Sequence, residues 1–180
     1  VRDSAYDKKY KSHLNWEHNN FRNCDVDNFI LAANEITKRG YWVFRMGKEV
    51  EKKLNTSNPK IIDYANSKLC SDFMDVYLGA KCNFCVSTGS GFEVIPYIFR
   101  KPIAHIAQPL GAIFSFSDKF VSIIKHHVSK KDKKKLSISE IFLHGAAFCG
   151  SSQEFKDKEI ELEENSAEEI RDLAMEVLER

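Results

Sequence analysis

Asn83-Phe84-Cys85-Val86-Ser87-Thr88-Gly89-Ser90-Gly91-Phe92-Glu93-Val94-Ile95-Pro96-Tyr97-Ile98-Phe99 is the stretch that decides the fold. Residues 83–86 form a short apolar run bounded by turn residues, which reads as a buried strand. Ser87 to Gly91 is a glycine-rich turn, and residues 92–99 read as a helix. Pro102 then opens a second strand, residues 103–107. Strand, turn, helix and strand in that order make a βαβ unit, whose two strands run parallel.

The same alternation extends outward. Asp25 caps a helix with Val26, Phe29, Ile30, Ala33 and Ile36 at helical spacing, and Gly40 closes it. Residues 41–46 read as a strand ended by Gly47, and residues 60–63 as another. Ser71 caps a helix with apolar positions Phe73, Met74, Tyr77 and Leu78. Upstream, Val1-Arg2-Asp3 reads as the last residues of a strand, and residues 4–24 as a long loop. Downstream, residues 108–157 are less regular, with a capping box at Ser137–Glu140. Residues 159–163 alternate as an exposed strand. Asn165-Ser166-Ala167-Glu168 caps an amphipathic helix carrying Ile170, Leu173, Ala174, Val177 and Leu178. The expected class is α/β: a Rossmann-like, doubly wound parallel sheet with helices on both faces. Residues 1–180 are read as one domain, with 158–180 its C-terminal strand and helix.

Composition narrows the function classes. Hydrophobic residues make up 43% of the 180, enough for a packed core. The net charge of +1 argues against a nucleic-acid binder. No apolar stretch reaches the ~18 residues of a membrane-spanning helix. Residues 151–180 hold eleven acids and four bases, so residues 1–150 carry a net +8. A basic main body suits an anionic ligand, and equally a plain soluble surface. The five cysteines are an odd number, and no secretory pattern opens the sequence; a cytoplasmic protein is expected. Cys82 and Cys85 are three apart on a strand-like run, so they are read as structural thiols on opposite faces, not a redox or zinc pair. The Lys130–Lys135 run reads as a solvated loop or as a patch drawn to an anionic membrane surface.

Ligands of open α/β sheets bind beyond the carboxyl ends of the strands, and three candidate positions fall there. The first is Ser87-Thr88-Gly89-Ser90-Gly91, with Phe92 following: either a backbone cradle for phosphate or a tight turn without a ligand. It lacks the lysine of a P-loop and the spacing of a dinucleotide fingerprint. The second is Arg45, either a bidentate phosphate ligand or the partner of a carboxylate such as Asp63 or Asp72. The third is Arg2 with Asp3. Asp3 would orient Arg2, act on a sugar hydroxyl, or cap a loop. His126 and His127 lack a third ligand at metal-site spacing, and His105 reads as a core residue. Ser90 between glycines leaves a serine hydrolase as a minor alternative, without the usual G-x-S-x-G elbow.

Several segments together carry a resemblance: residues 39–47, Asp63-Tyr64 with Ser67, residues 71–75, 84–91, Ile95-Pro96, and 99–102. In this order and spacing, the chain resembles a family of bacterial glycosyltransferases linked to surface-carbohydrate biosynthesis. Residues 1–6 are similar to the start of that family's carboxyl-terminal half, and residues 165–170 to its last helix. The resemblance implies one half of a GT-B fold, the half that holds the sugar-nucleotide donor, with an amino-terminal acceptor domain outside this sequence. By similarity to the more distant fucosyltransferase-like enzymes, Arg2 corresponds to an arginine that meets donor phosphate. Ser90, Gly91 and Phe92 correspond to a small-residue turn whose amides do the same. The implied reaction moves a sugar from a nucleoside diphosphate to a carbohydrate or glycolipid acceptor. Arg2, Arg45 and the amides around Ser90 and Gly91 would stabilise the leaving diphosphate. Asp3 is the local candidate for the base that activates the acceptor. No cofactor and no metal are expected, since the sequence has no D-x-D pair. The alternative is a non-catalytic nucleotide-binding or interaction module of the same fold.

Overall fold

A computed structural model describes residues 1–13, 16–112 and 117–180. Residues 14–15 and 113–116, which fall in two segments read as irregular, lie outside the described residues. The helices are α1 (Ala5–Tyr10), α2 (Ile30–Lys38), α3 (Asp72–Lys81), α4 (Val94–Ile98), α5 (Ile138–Leu143), α6 (Ser152–Asp157) and α7 (Ala167–Glu179). The strands are β1 (Val43–Phe44), β2 (Ile61–Ile62), β3 (Cys85–Ser87), β4 (Ile103–Gln108), β5 (Phe120–Ile124), β6 (His126–Ser129) and β7 (Ile160–Glu163).

The βαβ reading of the quoted stretch holds. β3, β4 and β5 form a parallel sheet in that order, with Cys85 opposite Ile103 and Ser87 opposite His105. β4 is buried along its whole length, as a strand paired on both sides must be. β1 and β2 form a separate parallel pair, Val43 opposite Ile61. The parallel strands are thus hydrogen-bonded as two sheets rather than one. β6 and β7 add an antiparallel pair that the sequence reading did not anticipate.

One face of the parallel strands is covered by α2 and α7. The α7 side chains Ile170, Leu173, Ala174 and Val177 repeat at helical spacing and meet Ala32 and Ile36 of α2 and Ala104 and Ile106 of β4. Ser166 and Glu169 close a reciprocal capping box at the α7 start, one residue on from the expected pair. Each buried Leu or Ile contributes about 1.5–3 kcal/mol, so this face supplies much of the stability. The other face carries α3 and α4. They approach so closely at Gly79 that a Cβ there would lie 2.7 Å from Ile95 Cγ2. Ser71 caps α3 as expected, accepting a bond from Met74 N–H at 3.2 Å. Phe73 and Tyr77, expected on the packed side of α3, are exposed, Phe73 by 74%. A smaller core joins α5, α6 and β7 through Ile141, Phe155 and Ile160.

Further corrections concern local structure. Residues 4–24 are not a continuous loop; they hold α1 and a 3-10 helix, Glu17–Arg22. Residues 108–157 contain two strands and two helices. The helix expected over 92–99 is a 3-10 turn, Gly91–Glu93, followed by the five residues of α4. All five cysteine thiols are free. Cys82 caps the end of α3 rather than lying on a strand, and burial pushes the Cys85 thiol up to about 12. The Lys131–Lys135 part of the basic run is exposed. Among the described residues, no helix is long and apolar enough to cross a membrane.

Candidate functional site

The site begins where β3 ends. Ser87 is buried and Thr88 is fully buried. Thr88 Oγ1 accepts a 2.7 Å bond from the Arg2 N–H. That bond pins residues 1–3 beside the end of β3. Asp3 reaches the other way, with one carboxylate oxygen 3.8 Å from the Arg45 guanidinium beyond β1. Val1-Arg2-Asp3 therefore sits between the carboxyl ends of the two parallel sheets.

The turn itself is built around Gly89. Its φ is +76°, and a Cβ would lie 2.5 Å from Gln108 Nε2. Only glycine fits both the conformation and the space. The Gly89 N–H donates to Ser87 Oγ at 3.2 Å, and the Ser87 hydroxyl donates to Glu93. Gly91 faces open space. α4 is a single short turn of helix and contributes little dipole, so any anion held here must rely on side-chain charge.

Two arginines supply that charge. The Arg2 guanidinium donates to Asp7 at 2.9 Å and to the Asn23 side chain. Arg22 donates to the Gly89 carbonyl at 2.8 Å, while its buried Nε has no hydrogen-bond partner among the described residues. Burial first, and then the positive charge of Arg22, pull the Arg2 pKa below its ordinary value. The two guanidiniums thus sense each other, and Asp7, which also pairs with Lys11, is the ion-pair partner of Arg2. Sequence reading missed Arg22 because residues 4–24 lacked periodicity. The available signal was position: Arg22 lies in the connection between the presumed first strand and α2, where ligand-binding groups gather.

Arg45 is differently placed. Its side chain is 5% exposed, and Nη1 donates to Asp63 and to the Lys52 carbonyl, both at 3.2 Å. The carboxylate partner is Asp63; Asp72 pairs with Lys48 at 2.6 Å. For Asp63, burial works to raise the pKa. The Leu54 N–H, the Asn66 amide and Arg45 outweigh it and hold the carboxyl below its usual range. Asp3 is also occupied: Oδ1 accepts from Ala5 N–H at 3.0 Å and Oδ2 from Glu51 N–H at 3.1 Å. The bond from Ala5 makes an Asx-type turn leading into α1, whose N-cap is Ser4.

Arg2, Asp3, Arg22, Arg45, Ser87 and the 89–92 turn all line one cavity of about 1130 Å³. Thr88 lies behind the wall, and Phe92 packs toward Gly79 of α3. Ser87, Glu93 and His105 stand in sequence, with His105 Nε2 3.5 Å from Glu93. The carboxylate lies between serine and histidine, so His105 is not placed to take the Ser87 proton; the hydrolase alternative named Ser90, which these contacts do not involve. His126 pairs with Glu169 at 3.0 Å, and buried His127 bonds the Lys125 carbonyl at 2.9 Å through Nδ1. Among the described residues, no group of three His, Cys, Asp or Glu is placed to hold a metal ion. Compared with known proteins, the chain matches no family model, no curated protein and no solved structure.

Proposed function

We propose that this chain is the donor-binding domain of a glycosyltransferase, taking a nucleoside diphosphate sugar at the turn after β3. The observation that carries the reading is the placement of Arg2 and Arg22 beside the Ser87–Gly91 turn, Arg2 through its backbone N–H to Thr88 and Arg22 through its guanidinium to the Gly89 carbonyl, with Asp7 paired to Arg2. Asp7 already balances Arg2, so an added anion would join Arg22, whose guanidinium contacts only a carbonyl among the described residues. A diphosphate supplies two charges and planar-compatible oxygens for bidentate contact.

The sheet order supports the same reading. With residues 1–3 counted as the end of a strand, the spatial order runs β2, β1, residues 1–3, β3, β4, β5. That is the doubly wound, Rossmann-like order, and it reverses between residues 1–3 and β3, the crevice where such folds bind nucleotides. The arginine end of the cavity lies at that crevice.

During transfer, negative charge builds on the leaving diphosphate, and Arg2 and Arg22 face that charge without reorganising. Arg45 holds Asp3 and Asp63 in place and so positions the Arg2 backbone. Asp3 is committed to two amides, so the reading assigns the acceptor base to the acceptor domain. The acceptor would be a surface carbohydrate or glycolipid, with the Lys130–Lys135 run favouring the inner membrane face. The commitment of Asp3 also favours a second reading, a nucleotide-binding module without chemistry.

A thermal-shift panel with UDP, GDP, CMP, ADP and their sugars tests the site. One nucleotide at 100 times its Kd should add about 2.7 kcal/mol of stability, and Arg22→Gln, binding about tenfold more weakly, should cut that gain to about 1.4 kcal/mol or less. Equal behaviour of the parent and the variant across the panel would overturn the assignment. Donor hydrolysis or transfer by the chain with its acceptor domain would eliminate the non-catalytic reading.

A further inference from the structure

The cavity below the arginines continues as a slot that the nucleotide reading does not use. One wall is the free edge of β1, from Tyr41 to Arg45. Val43 N–H donates to Lys60 and Arg45 N–H to Ile62, so the ladder with β2 uses alternate residues. The Phe44 amide and carbonyl must then point away from β2, into the slot. The opposite wall is the edge of β3, which pairs with β4 on its other side. Cys85 N–H donates to Pro102, so the Val86 amide and carbonyl face the slot in turn. β1 and β3 each run parallel to their own partners. The floor is Ala32, Ala33 and Ile36 of α2, and the roof is Leu78 and Gly79 of α3.

Two facing strand edges with unspent donors and acceptors, closed above and below by apolar side chains, define what fits between them. A peptide backbone satisfies both edges at once; a small apolar molecule satisfies neither. We propose that the slot is the seat of a further parallel β-strand of four or five residues, apolar on both faces, running in line into Val1. Val1 packs against the same buried apolar cluster as Val43, Phe84 and Val86, and all four line the cavity. Arg2 and Asp3 lie level with the ends of β3 and β1, so a strand entering through Val1 runs in the same direction as both. The small side chains of Ala32, Ala33 and Gly79 leave room for branched residues on the occupant. A strand buried on both faces is a continuous Val/Ile/Leu-type run. The occupant is polypeptide joined to the amino side of Val1. Filling the slot unites the two parallel sheets into one. The inference rests on the strand edges and holds whatever ligand the arginines take.

The test uses three proteins: the 1–180 chain, the chain extended before Val1 by Val-Ile-Val-Ile-Val, and the chain extended by Gly-Ser-Gly-Ser-Gly. The apolar extension should raise Tm by more than about 5 °C over the Gly-Ser extension. It should also slow hydrogen exchange at the Phe44 and Val86 amides by at least about tenfold, with no nucleotide present. Equal Tm and unchanged exchange at those two amides would overturn the proposal. Equal protection by the free pentapeptide at micromolar concentration would also overturn it, since a separate partner would then suffice without the tether. Because no nucleotide enters the assay, its failure leaves the donor-site reading to the ligand panel.

Discussion

Arg45 and Arg22 occupy comparable places, each beside the carboxyl end of a parallel strand, and differ in what surrounds them. Arg45 is bracketed by Asp63 and Asp3, and its Nη1 serves a carboxylate and a carbonyl. Arg22 has a carbonyl contact and a cationic neighbour, Arg2, and it opens on the cavity. The same side chain is held in place where carboxylates balance it, and where they do not it is free to be the ligand contact proposed above. Position at a strand end is therefore a weak guide to role, and charge balance is a strong one.

The largest effect that would break this contrast is at Arg45. Arg45→Met removes a buried guanidinium from half-buried Asp63 and Asp3 and should cost about 1.5–3 kcal/mol in a urea titration, as loss of a charged hydrogen bond does. Molecules still folded should bind the nucleotide nearly as before. Loss of binding with stability intact would reverse the two roles. Arg22→Gln should do the opposite: weaken nucleotide binding about tenfold or more by calorimetry, as loss of a charged hydrogen bond does, with Tm almost unmoved.

The turn between them offers a finer comparison. Gly89→Ala forces a left-handed backbone on alanine and presses its Cβ against Gln108, so a loss of about 1–2 kcal/mol is expected. Gly91→Ala meets open space and should change the urea midpoint by less than about 0.5 kcal/mol equivalent. Similar losses at both positions would mean that the turn is strained as a whole.

The smallest effect is acid dependence of the Arg45 cage. Asp63 titrates below the ordinary carboxylate value of 3.8 in the folded chain. Its contribution is complete above that value and is lost as pH falls through the lower folded one. Urea midpoints taken from pH 7 to pH 2.5 should fall at the acid end, and Asp63→Asn should flatten part of that fall. An unchanged profile would show that Arg45 and Asp63 are coupled too weakly to define a cage.

Much of the local structure was legible. Ser71 and Ser137 cap helices as expected, and Asp25 caps the 3-10 turn Val26–Phe29 that leads into α2, because a cap bonds an amide two or three residues away and its cause lies within the sequence window; the α7 cap, Ser166, was read one residue early. The α7 stripe was legible for the same reason. α3 was not: its Phe73 and Tyr77 lie at helical spacing, but only the side toward α4 and the cavity meets a partner. Periodicity marks an apolar face without stating whether anything covers it. The glycine turn was recognised, but the five-residue length of α4, which weakens any helix dipole behind that turn, was not.

Composition, caps and the strand–turn–helix–strand stretch determined the α/β class, the parallel pairing of β3 with β4, and the Ser87–Gly91 turn as a candidate site. Those features depend on neighbours a few residues apart. The division between Arg45 and Arg22 was decided only in three dimensions. Asp63 lies 18 residues from Arg45, and Gly89 lies 67 from Arg22. Coulomb energy depends on distance in space, and chain separation does not report that distance. The slot between β1 and β3 is of the same kind: each strand reads as complete along the chain, and only their facing edges reveal hydrogen bonds still to be made.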